Sequence, residues 1–186
     1  MRKLIFKESI YVSSFEDDEL HTKVKSILEK EKNKGGVFRT NVGGFQTDKL
    51  KDLEIEKKLF TWAVKTLQSG TNHENVTFQF DGWWINENLH GHSNMQHIHV
   101  GSHFSAIYYI DAPKDCGRLV FHDNNDAKEV LNYVGKGFGD RDFFNYFVED
   151  PAKNKFVIFP SFIRHSVEPN RSHEPRISVA FDLNCI

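Results

Sequence analysis

Cysteine is scarce in this 186-residue chain: two occur, Cys116 and Cys185, with no metal-type spacing between them. That argues against a disulfide scaffold and a cysteine-ligated zinc module, and it favours a reduced, cytoplasmic setting. A surplus of one charge sign is missing too. Lys+Arg 24 stand against Asp+Glu 26, a formal net charge of −2. Nucleic-acid binding ordinarily shows as a basic excess, so no nucleic-acid partner is expected. No run is apolar enough to cross a bilayer, and no membrane partner is expected. The opening MRKLIFKESIYVSSF has two early basic residues but lacks a long apolar stretch and a small-residue cleavage site, so it reads as a first strand rather than a signal peptide. Internal repeats and low-complexity tracts are also missing.

What the chain has is aromatic bulk. Hydrophobic residues make up 39% and Phe alone occurs 17 times, enough for a dense core in one domain spanning 1–186. Residues 1–13 alternate weakly, as an edge strand does. From Ser14, SFEDDELHTKVKSILEKEK carries acidic residues in front and then Leu20, Val24, Ile27 and Leu28 at helical spacing. KNKGG ends that helix, FRTNVGGFQTDKL reads as a loop, and a second helix is expected from about Leu53 to Leu67. After SGTNHEN the texture turns to β: VTFQFDGWWINEN, HFSAIYYID, GRLVFHD, KFVIFPSF and RISVAFDLN, with turn signals between them. The expected fold is mainly β (α+β): a helical preface over about 14–70, then a jelly roll or barrel over about 75–186 with the helices packed on one sheet. Between Asn124 and Asn154 lies a long mixed segment with Gly137, Gly139 and FFNYF, read as a substrate lid.

Ten histidines are present, and five of them (His90, His92, His97, His99 and His103) fall within fourteen residues. On a strand, His-x-His puts two imidazoles on one face. His97-Ile98-His99 leads into the firm strand HFSAIYYI, whereas His90-Gly91-His92 sits in a turn-like NENLHGHSN, so the first pair is the better metal candidate. Further on, FVIFPSFIRHSVEPN places His165 between two apolar stretches, and the last strand opens with Arg176 and, two residues on, Ser178. Two adjacent ligands with one distant ligand occupy one face of an iron ion and leave three positions open. A chelating keto acid fills two of these and dioxygen the third; Arg suits a distal carboxylate better than Lys does.

At these residues the chain resembles the 2-oxoglutarate/Fe(II) oxygenase superfamily, and is most similar to a small family of such oxygenases from phage and marine bacteria. RTNVGGFQTD, WINEN, QHIHVGSHFSAIYYI with GRLVF, and VIFPSFIRHSVEPN with PRISVAFDLN carry the likeness; the last two blocks also resemble prolyl hydroxylases. The resemblance implies a double-stranded β-helix. It implies Fe(II), 2-oxoglutarate and O2 as cofactors, and decarboxylation to succinate and CO2 coupled to hydroxylation of a small-molecule or peptide substrate, a prolyl residue among the options. It makes His97, His99 and His165 the metal ligands. Arg176 and Ser178 then hold the C5 carboxylate of 2-oxoglutarate, Tyr108 reaches that carboxylate, and Asn86 lines the pocket. A monomer or homodimer is expected, in the host cytoplasm if the gene is phage-borne.

One departure stands out. The wider superfamily has Asp or Glu at the second ligand where this chain has His99, and His103 and Asp123 are the alternatives for that place. A neutral imidazole leaves the site one charge more positive, which favours a dianionic cosubstrate. Two other readings stay open. A cupin-type three-histidine iron dioxygenase, such as a thiol dioxygenase, would use the histidines but has no need of a buried Arg176. A non-catalytic binding module would need neither.

Overall fold

The structure, a computed structural model, describes residues 8–70, 77–124 and 146–186. Strand β1 (Tyr11–Ser14) comes first and takes in Ser14. Helix α1 (Asp18–Lys32) starts behind it at Asp17, whose side chain accepts from the Leu20 amide at 2.8 Å. Asp18 and Glu19 in the first turn and Lys30 and Lys32 in the last match the helix dipole. Helix α2 (Leu53–Gly70) runs slightly beyond the expected end at Leu67. Asp52 accepts from the amides of Glu54 and Ile55 at its start. Each capping aspartate also grips the other helix: Asp17 binds Lys58 and Asp52 binds Lys23, both at 2.8–2.9 Å. These half-exposed pairs fix the angle between the helices more than they add stability.

Nine further strands follow the first helix in the order β2 (Asn41–Val42), β3 (Phe45–Gln46), β4 (Phe78–Asn88), β5 (Ser93–His97), β6 (Phe104–Asp111), β7 (Leu119–His122), β8 (Tyr146–Glu149), β9 (Lys155–Pro160) and β10 (Arg164–Val167), before the closing β11 (Arg176–Cys185). They form two antiparallel sheets, a six-stranded one ordered β1-β9-β6-β11-β4-β3 and a five-stranded one ordered β2-β5-β10-β7-β8. This is the expected mainly β jelly roll. The stretch FRTNVGGFQTDKL, read as a loop, instead pairs as β2 and β3, one in each sheet, joined through Gly43 at φ +74°. A side chain at Gly43 would run into the His92 ring, 2.7 Å from an added Cβ. SNMQH forms β5 without a strand signature, because its polar residues lack the aromatic and β-branched texture that marks the others. Most of the expected lid, and residues 1–7 of the first strand, lie outside the described residues; of the 124–154 segment, β8 pairs with β7.

Strand β11 is buried along Arg176–Leu183 and divides the molecule. Ile177, Val179, Phe181 and Leu183 face the helices. There they join Leu20, Val24 and Leu28 of α1, Ile55, Leu59, Ala63 and Leu67 of α2, and Trp83, Ile85 and Phe156 of the sheet. So the helices pack on one sheet, as expected. The alternate residues Arg176, Ser178, Ala180 and Asp182 point the other way and line a cavity. Beside it, Tyr109, Leu119, Phe121, Val157, Phe159 and Ile163 form a second, smaller apolar cluster.

Candidate metal centre and cosubstrate cavity

The histidines meet where the five-stranded sheet approaches β11. His97 closes β5 and is the register partner of His165 on β10, so antiparallel pairing sets their rings 4.2 Å apart. His99 lies beyond the strand end. It is not placed by strand alternation, as the His-x-His pattern suggested, but by tertiary bonds: its amide donates to the Ser161 carbonyl at 3.0 Å. Its ring comes within 5.1 Å of both other imidazoles. One candidate ligand atom from each of the three lies within 4.8 Å of the others, and no other such cluster occurs among the described residues. His103 and Asp123, the alternatives for the second ligand, are not part of it. His90 stacks on His173 and His92 accepts from the Leu89 amide, so that pair belongs to the turn.

Each of the three rings commits its Nδ1 to an oxygen. His97 donates to the Met95 carbonyl at 2.7 Å, His165 to the Ile163 carbonyl at 3.0 Å and His99 to the Asp182 carboxylate at 2.8 Å. These acceptors can bond only a protonated Nδ1, which leaves Nε2 as the nitrogen each ring can offer a metal. Burial lowers the His97 pKa, and burial with His97 nearby pushes His165 down to about 3. Both are therefore neutral in neutral solution, and metal binding displaces no proton from them.

The cavity beside the histidines encloses about 450 Å³, within the range of small-molecule sites. Arg176, Ser178 and Asn86 all line it; Ser178 and Asn86 are register partners on β11 and β4. Arg176 is 2% exposed, yet no carboxylate pairs with it among the described residues. Its Nη1 donates to the carbonyls of Cys116 (2.8 Å) and Gly117 (3.1 Å), while its Nε and Nη2 hydrogens have no partner among the described residues. Gly117, at φ +87°, makes this approach possible, because a Cβ there would sit 3.0 Å from Nη1 and closer still to the Glu168 backbone. The functional weight of Gly117 was not evident from the turn signal DAPKDCG.

Tyr108 is a correction. Its hydroxyl points to the helix side, donating to the Phe15 carbonyl at 2.7 Å and meeting His21 Nε2 at 2.8 Å. Tyr109, its neighbour on the opposite face of β6, lines the cavity instead. Burial raises the Tyr109 pKa, with Arg176 pulling the other way, which places the phenol within the field of the guanidinium. Tyr108→Phe is accordingly expected to cost about 1–3 kcal/mol of stability, the price of a buried His21 left unpaired. It should leave cosubstrate affinity unchanged. Weakened 2-oxoglutarate binding at unchanged melting temperature would return Tyr108 to the cavity.

Fold and site together define a jelly-roll protein with a three-histidine donor set beside a buried, unpaired cation. Residues 82–182 match the family described as "Putative 2OG-Fe(II) oxygenase", and the chain belongs to that family, which implies Fe(II), 2-oxoglutarate and O2. Among solved structures it resembles the viral collagen prolyl hydroxylase of Paramecium bursaria Chlorella virus-1, determined as a 2-oxoglutarate complex. That likeness has a TM-score of 0.59 and 12% identity over 95% of this chain and 97% of that one. HygX of Streptomyces hygroscopicus, with nickel and 2-oxoglutarate bound, gives 0.61 and 9% over 95% and 83%. A 2OG-Fe(II) oxygenase family structure from Burkholderia pseudomallei is matched at 0.45 and 17% over 57% of this chain, which spans 43% of that protein. No protein of curated function matches the sequence.

Proposed function

We propose that this chain is an Fe(II)- and 2-oxoglutarate-dependent hydroxylase of a small molecule or a peptide, with a prolyl residue the first substrate to try. The reading is carried by Arg176, a buried guanidinium with unpaired N–H groups and no counter-charge among the described residues, in the same cavity as the histidine cluster. Burying a cation without an anion is costly, and a dianionic cosubstrate is the anion that would balance it. A three-histidine dioxygenase without 2-oxoglutarate leaves that cation unexplained, and so does a non-catalytic module.

In this reading His97, His99 and His165 hold the iron through Nε2, Arg176 and Ser178 hold the C5 carboxylate, and Asn86 and Tyr109 wall the pocket. The iron, with 2-oxoglutarate and dioxygen, supplies the oxidising power for C–H hydroxylation, releasing succinate and CO2. Tyr109 and Phe159 belong to the second apolar cluster and also line the cavity, giving it an apolar wall on that side. The collagen and prolyl titles belong to the relatives, and the fold does not transmit a substrate. The even charge balance supports a partner other than nucleic acid, and the two free thiols, Cys116 and Cys185, support a reducing cytoplasm, the host's if the gene is phage-borne. We read 1–186 as one domain acting as a monomer or homodimer.

Anaerobic titration of the iron-loaded protein with 2-oxoglutarate tests this. A saturable visible charge-transfer band is expected. Iron binding with no band would remove 2-oxoglutarate from the reading and bring thiols forward as ligands.

A further inference from the structure

The second ligand position of this reading holds an imidazole, and a carboxylate stands directly behind it. Asp182 lies on the cavity face of β11, 7% exposed, and its Oδ1 meets His99 Nδ1 at 2.8 Å. The same oxygen accepts from Ser105 Oγ at 2.7 Å, and Ser105 Oγ lies 2.8 Å from Ser161 Oγ. Ser161 closes the ring through its carbonyl, which takes the His99 amide at 3.0 Å. Both serines are fully buried. Among the described residues no lysine or arginine pairs with Asp182; His99 is its one basic partner. A buried carboxylate whose one basic partner is an imidazole needs positive charge on or beyond that ring to compensate it. It becomes well compensated once the far nitrogen of that imidazole binds a dication, because the ring then donates from Nδ1 as a strongly polarised N–H.

Resting on the three-histidine metal reading, we propose that Asp182 is a positioning residue. It holds His99 with Nδ1 protonated and Nε2 aimed at the metal, and it returns at one remove the negative charge that a carboxylate ligand would bring. Ser105 and Ser161 fix the carboxylate in turn. With Asp182 counted, a dication, three neutral imidazoles and one carboxylate carry the same net charge as a dication with two imidazoles and a bound carboxylate.

The test is Co(II) binding to the apo protein in competition with a chromophoric chelator. Asp182→Asn keeps the shape and an acceptor oxygen but removes the charge. It is expected to bind Co(II) about 10- to 100-fold more weakly at an unchanged apo melting temperature. Affinity within about threefold of wild type overturns the proposal, while loss of binding in a His165→Ala control shows that the metal site itself stands. A control that binds as wild type does would sink the three-histidine reading and this inference with it. Should Asp182→Asn not fold, nitrogen-resolved NMR of the wild-type apo protein decides. A proton on His99 Nδ1 is expected, and a ring protonated on Nε2 with a bare Nδ1 overturns the assignment.

Discussion

His165→Ala is expected to abolish tight metal binding, with affinity for Fe(II) or Co(II) falling by more than about 100-fold. Residues behind a ligand typically account for 10–100-fold, and a ligand itself accounts for more. His165 is the most buried of the three candidate ligands and the register partner of His97, so a metal bound here would cross-link β5 to β10. Binding to the folded state alone raises stability by about 2.7 kcal/mol at a hundred times the dissociation constant. Wild type should therefore melt higher when either ion is added, and the variant should not. The comparison of each protein with and without metal separates ligand loss from the void left beside Phe121 and Phe159, whose rings lie within 6.3 Å and 4.7 Å of His165. A variant that keeps the metal-dependent shift would remove His165 from the ligand set.

Arg176→Ala should leave the metal in place and weaken 2-oxoglutarate. Hydrogen bonds to charged groups contribute about 1.5–3 kcal/mol, so a loss of roughly 10- to 150-fold in cosubstrate affinity is expected. The variant also frees the carbonyls of Cys116 and Gly117, and some stability should go with them. Arg176→Lys is the sharper control: it restores the charge but not the planar fork, and should recover only part of the affinity. Both are read from the visible band in the anaerobic titration, with metal binding measured separately. Wild-type affinity for 2-oxoglutarate in Arg176→Ala would make the guanidinium a purely structural clamp on the 116–117 turn.

The helices and most of the strands were legible in the sequence because their burial is periodic. Leu20, Val24 and Leu28 recur at the helical period, and β11 alternates as Arg176, Ser178, Ala180 and Asp182 against Ile177, Val179, Phe181 and Leu183. The two-residue strands β2 and β3 and the polar β5 were not, since short strands paired mainly through their backbones leave little side-chain signature. Motif order singled out His97, His99, His165, Arg176 and Ser178, and the family resemblance added Asn86 and Tyr108; the structure gathers all of them but Tyr108 around one cavity.

By itself the sequence determined the residue types and their order: a histidine pair, a distant histidine and a late arginine, on alternating strands that needed a core on one face. The tertiary structure decided which face was which. Tyr108 and Tyr109 are adjacent on β6 and point oppositely, and only the packing of α1 against the sheet assigns Tyr108 to the core and Tyr109 to the cavity. It alone brought Asp182 behind His99 across 83 positions of chain, because a hydrogen bond of that separation follows from how β11 inserts between β4 and β6. Local spacing encodes the direction of a side chain along its own strand; what lies opposite it is set by the sheet.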